Sequence, residues 1–133
     1  MDHEALVRAF EAGEEPPGGF HHAQHVRVAW WYLRTYPLPD ALGRFTTALR
    51  AFALAQGKPG LYHETVTVAF MLIISDRLGI AGRDCAWETF AEGNPDLFAW
   101  KPSVLDRYYR DETLWSDRAR AGFVMPDRIS EPQ

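Results

Sequence analysis

The sequence is poor in cysteine, in basic residues and in long apolar runs. Its single cysteine, Cys85, cannot form an internal disulfide, so the fold does not depend on an oxidising compartment. Fourteen Lys and Arg residues against eighteen Asp and Glu residues give a formal net charge of −4, which argues against non-specific nucleic-acid binding. The longest apolar run, residues 66–74, contains Thr67 and is far shorter than the roughly 18 residues of a membrane span.

The first four residues also differ from a secretory signal, because they are polar and acidic and include no apolar segment. We therefore expect a cytoplasmic protein that has neither a membrane nor a nucleic-acid partner. The 133 residues are the size of one domain with its own hydrophobic core.

Aromatic residues are abundant. Five Trp, five Tyr and eight Phe make up 14% of the chain. Large aromatic side chains fill protein cores and line ligand pockets alike. Their number therefore predicts a well-filled interior before it indicates a function.

Glycine and proline divide the sequence into helical segments. Apolar residues at helical spacing predict four main helices, over residues 4–12, 21–36, 39–57 and 62–78. Weaker patterns that begin at Ser103 and Ser116 predict short C-terminal helices. The predicted fold is an all-α, single-domain helical bundle. Residues 1–19 form an N-terminal helix and loop, 20–79 the core helices, 80–125 the short helices and 126–133 a loose tail.

The fourth segment allows two interpretations. Its β-branched beginning, residues 65–68, is compatible with a strand. Its length of about four turns and the absence of partner strands favour a helix that ends at Gly79. Such a helix is apolar almost all round, so we expect it at the centre of the bundle.

Three histidines lie at the beginning of the second helix. His25 falls in the middle of the apolar stripe, and His21 and His22 lie on its two edges. Residues three or four apart lie above one another on a helix, so two of these rings can reach one metal ion. His63 begins the fourth helix, and short connections place the starts of the second and fourth helices at the same end of the bundle.

This placement predicts a divalent transition metal, namely Zn, Fe, Mn or Ni, on His22, His25 and His63. Three protein ligands leave one coordination position of the metal open, which is typical of catalytic sites. We therefore expect a small-molecule substrate. Glu64 follows His63 and is the predicted proton carrier. Trp31 falls toward the polar side of its helix, and an exposed Trp there points to a homodimer.

A metal-free function is the alternative. In that interpretation the chain is a helical module that binds a ligand or another protein, and the histidines are hydrogen-bonded polar residues of the core. The metal content of the purified protein distinguishes the two.

Four motifs together resemble a family of small bacterial helical proteins to which no activity is assigned. They are F-x-H-x-x-H from Phe20, Y-H-E-T-x-T from Tyr62, N-P-D-L from Asn94 and A-R-x-x-F-V-x-P-D from Ala119. The resemblance covers about residues 20–127. It implies a site at His22, His25 and His63 rather than at His21, and it implies neither a substrate nor a reaction.

Overall fold

The computed structural model of the chain describes residues 1–100 and 102–128. Seven α-helices lie within these residues: α1 (His3–Glu11), α2 (His22–Thr35), α3 (Leu38–Ala55), α4 (Glu64–Ala81), α5 (Trp87–Gly93), α6 (Asp111–Leu114) and α7 (Asp117–Ala121). Short 3-10 turns lie at Pro59–Leu61, Pro95–Phe98 and Val104–Arg107. The predicted all-α, single-domain fold is confirmed. The fourth segment, for which a strand was the alternative, is a helix as predicted.

Local sequence signals explain the helix boundaries. Asp2 caps α1, because its side chain accepts a hydrogen bond from the Ala5 backbone N–H at 2.7 Å. Prolines 37 and 39 begin α3, where their missing N–H groups are not needed. The end predicted for α4 at Gly79 is wrong, because the helix continues to Ala81. Gly82, whose φ is +100°, provides the stop, since only glycine adopts that conformation readily.

The core lies between α4 and the helices that surround it. α4 packs against α2 and α3 on one side and against α7 on another, while α1 covers α2 and α3. Its buried apolar side chains include Phe70, Met71, Ile74 and Leu78. The prediction that α4 occupies the centre of the bundle agrees with these contacts.

The C-terminal segments are attached to α4 by buried hydrogen bonds. The Thr65 hydroxyl donates to the Gly122 carbonyl at 2.8 Å and accepts from the Val124 N–H at 3.0 Å. Tyr109 donates its hydroxyl proton to the Val124 carbonyl at 2.6 Å. These bonds hold short helices that have too few residues to be stable alone.

Part of the predicted loose tail lies within the described residues. The backbone N–H groups of Asp127 and Arg128 donate to the Tyr108 carbonyl at 3.1 and 2.9 Å. Residues 129–133 lie outside the described residues. No helix within the described ranges is long and apolar enough to cross a membrane.

Candidate functional site

A cavity of about 430 Å³ lies between α2, α3 and α4. This volume is within the range of small-molecule sites, which are typically about 300–1,000 Å³. Its wall is mainly apolar and aromatic. The rings that line it belong to Phe20, Phe45, Phe52, Tyr62, Phe70 and Trp100, together with His22, His25 and His63.

His25 lies on this wall without a partner. Its ring packs against Phe20 at 4.4 Å between centroids, and within residues 1–100 and 102–128 no group forms a hydrogen bond with it. Burial, followed by the neighbouring His22 and His21 rings, lowers the pKa of His25 to about 4. The imidazole is therefore neutral at pH 7 and offers one donor and one acceptor.

His22 uses one of its two ring nitrogens. Its Nε2 donates to the Leu97 carbonyl at 2.8 Å. Because a carbonyl can only accept, Nε2 carries a proton, and Nδ1 is the ring nitrogen left without a partner in the described residues. The ring packs edge-on against Phe70 at 5.1 Å and at a tilt against Trp100 at 5.2 Å between centroids.

His63 uses both of its ring nitrogens. It is the N-cap of α4, where Nδ1 accepts from the Val66 N–H at 3.1 Å, and its Nε2 donates to the Leu114 carbonyl at 2.7 Å. The residue is only 6% exposed. Burial is the main cause that holds the pKa of His63 below its usual value. His63 therefore joins α4 to α6 as a neutral ring with no free nitrogen.

The structure brings His22, His25 and His63 to one cavity, as the bundle topology predicted. Ligation of a metal by His63 would replace one of its two ring hydrogen bonds. In the part of the chain that the structure describes, no group of three or more His, Cys, Asp or Glu side chains is placed to hold a metal ion. The three-histidine metal centre thus stays a prediction.

His21 and Glu64 point elsewhere. The His21 ring bonds the Gly18 carbonyl at 3.1 Å in the preceding loop. Glu64 accepts a hydrogen bond from the Tyr62 hydroxyl and pairs with Arg50 at 2.9 Å. Neither residue lines the cavity. The proton-carrying role of Glu64 stays a prediction.

The N-P-D-L motif positions His22 indirectly. Arg77 of α4 forms two hydrogen bonds of 2.9 Å with the Asp96 carboxylate and a third, also 2.9 Å, with the Asn94 side chain. Arg77 is the main cause that lowers the pKa of Asp96, which therefore stays charged. This ion pair fixes the turn whose Leu97 carbonyl holds the His22 ring.

Charged groups occur on the cavity lining only at its rim. Glu15 and Lys58 are the charged residues of the lining within the described residues, and both are exposed.

The loop before α2 contributes Phe20, which packs on Phe10 at 5.2 Å and on Phe52 at 4.8 Å between ring centroids. Gly18 and Gly19 in this loop have φ values of +86° and +92°, which allow the close turn into α2.

Sequence reasoning did not identify the cavity itself. Phe20 and Trp100 line it from a loop and from beyond α5, where helical periodicity gives no placement. The position of Phe20 just before the histidines is the one local signal for it.

Comparison of the chain with protein-family models, with curated proteins and with solved structures finds no match. The fold and this cavity are therefore the basis for a functional conclusion.

Proposed function

We propose that this protein binds a small, mainly apolar molecule in the cavity between α2, α3 and α4. The observation that carries the proposal is a cavity of about 430 Å³ whose aromatic wall presents a histidine, His25, without a hydrogen-bond partner. The proposal assigns binding and no reaction.

Both features of the cavity favour a ligand. Side chains that line a void lose contacts on one side, and a half-buried imidazole without a partner in the described residues can gain a hydrogen bond. A ligand that fills the space and bonds His25 provides both. This combination of an apolar pocket and a few polar groups is typical of small-molecule sites.

Methionine provides the test, because the chain has three methionines in contrasting places. Met71 lines the cavity and is 0% exposed, whereas Met1 and Met125 are 61% and 71% exposed. Protein with carbon-13-labelled methionine methyl groups is titrated with 2-methylnaphthalene and followed by NMR. We expect a saturable shift of the Met71 methyl signal and little change at Met1 and Met125.

A cavity-filling variant is the matched control. Ala53 lies on the cavity wall, and Ala53→Phe occupies part of the space with a ring. We expect this variant to bind 2-methylnaphthalene at least tenfold more weakly than the wild type. Binding of the probe that moves the exposed methionines alone, or the absence of any saturable shift in the wild type, would contradict the proposal.

A metal centre is the second candidate, and one observation favours it. His22 and His25 line the same cavity, and each keeps at least one ring nitrogen without a partner in the described residues. Elemental analysis of protein purified without a nickel column tests this candidate. About one equivalent of metal, lost at least tenfold in His22→Ala and His25→Ala but not in His21→Ala, would support it. Less than about a tenth of an equivalent after reconstitution would exclude it.

A further inference from the structure

The inner wall of the cavity has few polar groups that are free to contact a ligand. The Thr67 hydroxyl donates its proton to the His63 carbonyl at 2.7 Å, and the Tyr62 hydroxyl donates its proton to Glu64. The two ring nitrogens of His63 are both occupied. The Thr67 and Tyr62 hydroxyls and the His63 ring therefore already donate their hydrogen bonds within the protein.

The remaining uncharged polar side chains of the described lining are Gln56, whose Nε2 already donates to the Gly13 carbonyl at 2.7 Å, and the imidazoles of His22 and His25. His22 has one ring nitrogen left for a ligand, its Nδ1, because its Nε2 proton is used by the Leu97 carbonyl. His25 keeps both a donor and an acceptor, and it lies against Phe20 on the aromatic wall. A ligand group that both donates and accepts is the best complement to such a ring, since it can pair with either tautomer.

The inner wall also offers no fixed charge. The charged residues among the described lining, Glu15 and Lys58, lie exposed at the rim. A carboxylate or an ammonium group placed beside His25 would lose its hydration without an ion-pair partner. A neutral hydroxyl loses less hydration and regains a hydrogen bond.

We infer that the ligand is a neutral aromatic molecule with a hydroxyl group that bonds the His25 ring, while its ring system packs on the aromatic side chains. The inference rests on the proposed function and names the ligand class of that cavity. Offset and edge-on packing against Phe20, Phe52 and Phe70 suits a planar ring system.

A matched ligand series tests the inference by equilibrium dialysis at neutral pH. 2-Naphthol, 2-methylnaphthalene and 2-naphthoate share one ring system and differ in a hydroxyl, a methyl and a carboxylate group. The variant His25→Leu removes the free imidazole, and His21→Leu is the matched control on the loop side of the same helix start. The variant His25→Gln restores a side chain that both donates and accepts.

We expect His25→Leu to weaken binding of 2-naphthol about tenfold and to leave binding of 2-methylnaphthalene unchanged or tighter. His21→Leu should change neither, and His25→Gln should bind 2-naphthol within about threefold of the wild type. 2-Naphthoate should bind most weakly of the three ligands to the wild type. Thermal unfolding of each variant verifies that it is folded.

Different failures have different meanings. If 2-naphthol and 2-methylnaphthalene both bind and His25→Leu affects them equally, the cavity binds ligands and the inference about the hydroxyl is overturned. If 2-naphthoate binds most tightly and Lys58→Ala abolishes this, the ligand is an anion and the inference is overturned. If none of the three ligands binds and Met71 shows no response, the proposed function itself fails.

Discussion

His25 and His63 lie at the same cavity, yet their surroundings differ in almost every respect. His63 caps α4 and has a backbone partner at each ring nitrogen, whereas His25 has no partner at either. A side chain whose hydrogen-bonding capacity is used within the protein is explained by stability. One that keeps its capacity on the wall of a cavity is explained by what enters that cavity.

The largest effect we expect is the loss of stability on removal of His63. His63→Ala removes the N-cap of α4, leaves the Leu114 carbonyl without its donor and opens a buried space. A lost cap costs about 1 kcal/mol, and a buried group without a partner costs about 1–3 kcal/mol, so the free energy of unfolding should fall by about 3 kcal/mol. Urea denaturation measures it, and a loss below about 1 kcal/mol would show that the ring is not structural.

The next effect is a loss of stability in acid. The pKa of His25 is about 4 in the folded protein against 6.5 for the free side chain, so the unfolded chain binds the proton more readily. The contribution of His25 to the free energy of unfolding is fully present above pH 6.5. It declines as the pH falls toward about 4, because the unfolded chain then binds a proton that the folded protein does not. Between pH 6.5 and about 5 the loss is about 2 kcal/mol, at 1.36 kcal/mol per pH unit.

The variant His25→Leu isolates this contribution. Its free energy of unfolding should depend less on pH across the same window than that of the wild type. His63 also has a lowered pKa, so part of the acid dependence remains in the variant. An unchanged pH profile in His25→Leu would mean that the ring is exposed to solvent.

A smaller effect is expected at the turn that holds His22. Asp96→Ala removes the acceptor of Arg77, and both side chains of this pair are partly exposed. We therefore expect a loss of about 1 kcal/mol in denaturation experiments. Weaker binding of 2-methylnaphthalene should accompany it, because the Leu97 turn no longer fixes the His22 ring. Stability and binding that both remain as in the wild type would contradict this role of Asp96.

The smallest effect is expected for His25→Leu at neutral pH. No hydrogen bond is lost with the ring, so the free energy of unfolding should change by less than about 0.5 kcal/mol or rise. The contrast with His63→Ala in the same denaturation series is the sharpest form of the comparison. Equal losses in the two variants would remove the distinction between them.

The sequence was sufficient to predict that His22, His25 and His63 lie at one end of the bundle, where they line one cavity, but not what each one does. Helical spacing places His22 and His25 together, and the short connections between α2, α3 and α4 bring His63 to the same end. Their roles depend on the carbonyls of Leu97 and Leu114, which lie 75 and 51 residues away from His22 and His63 in the chain. Those carbonyls belong to short C-terminal segments that have no periodicity long enough to place them.

Local signals failed in a similar way at the end of α4. Gly79 looked like a stop, yet a glycine within a helix costs only about 1 kcal/mol and α4 is supported by packing on several sides. The cavity was also beyond prediction, because it depends on how Phe20 and Trp100 close the space between three helices. A count of aromatic residues predicts a filled interior and does not locate a gap within it.

The central claim is that His25 is the free imidazole of a ligand cavity and that His63 is a structural cap. NMR of protein with nitrogen-15-labelled histidine, recorded during a titration with 2-naphthol, tests it most directly because ring nitrogen shifts report protonation and hydrogen bonding. We expect His63 to remain an Nε2–H tautomer without change and His25 to show a saturable shift of its ring nitrogens. A response of the His63 nitrogens with none at His25 would contradict the account.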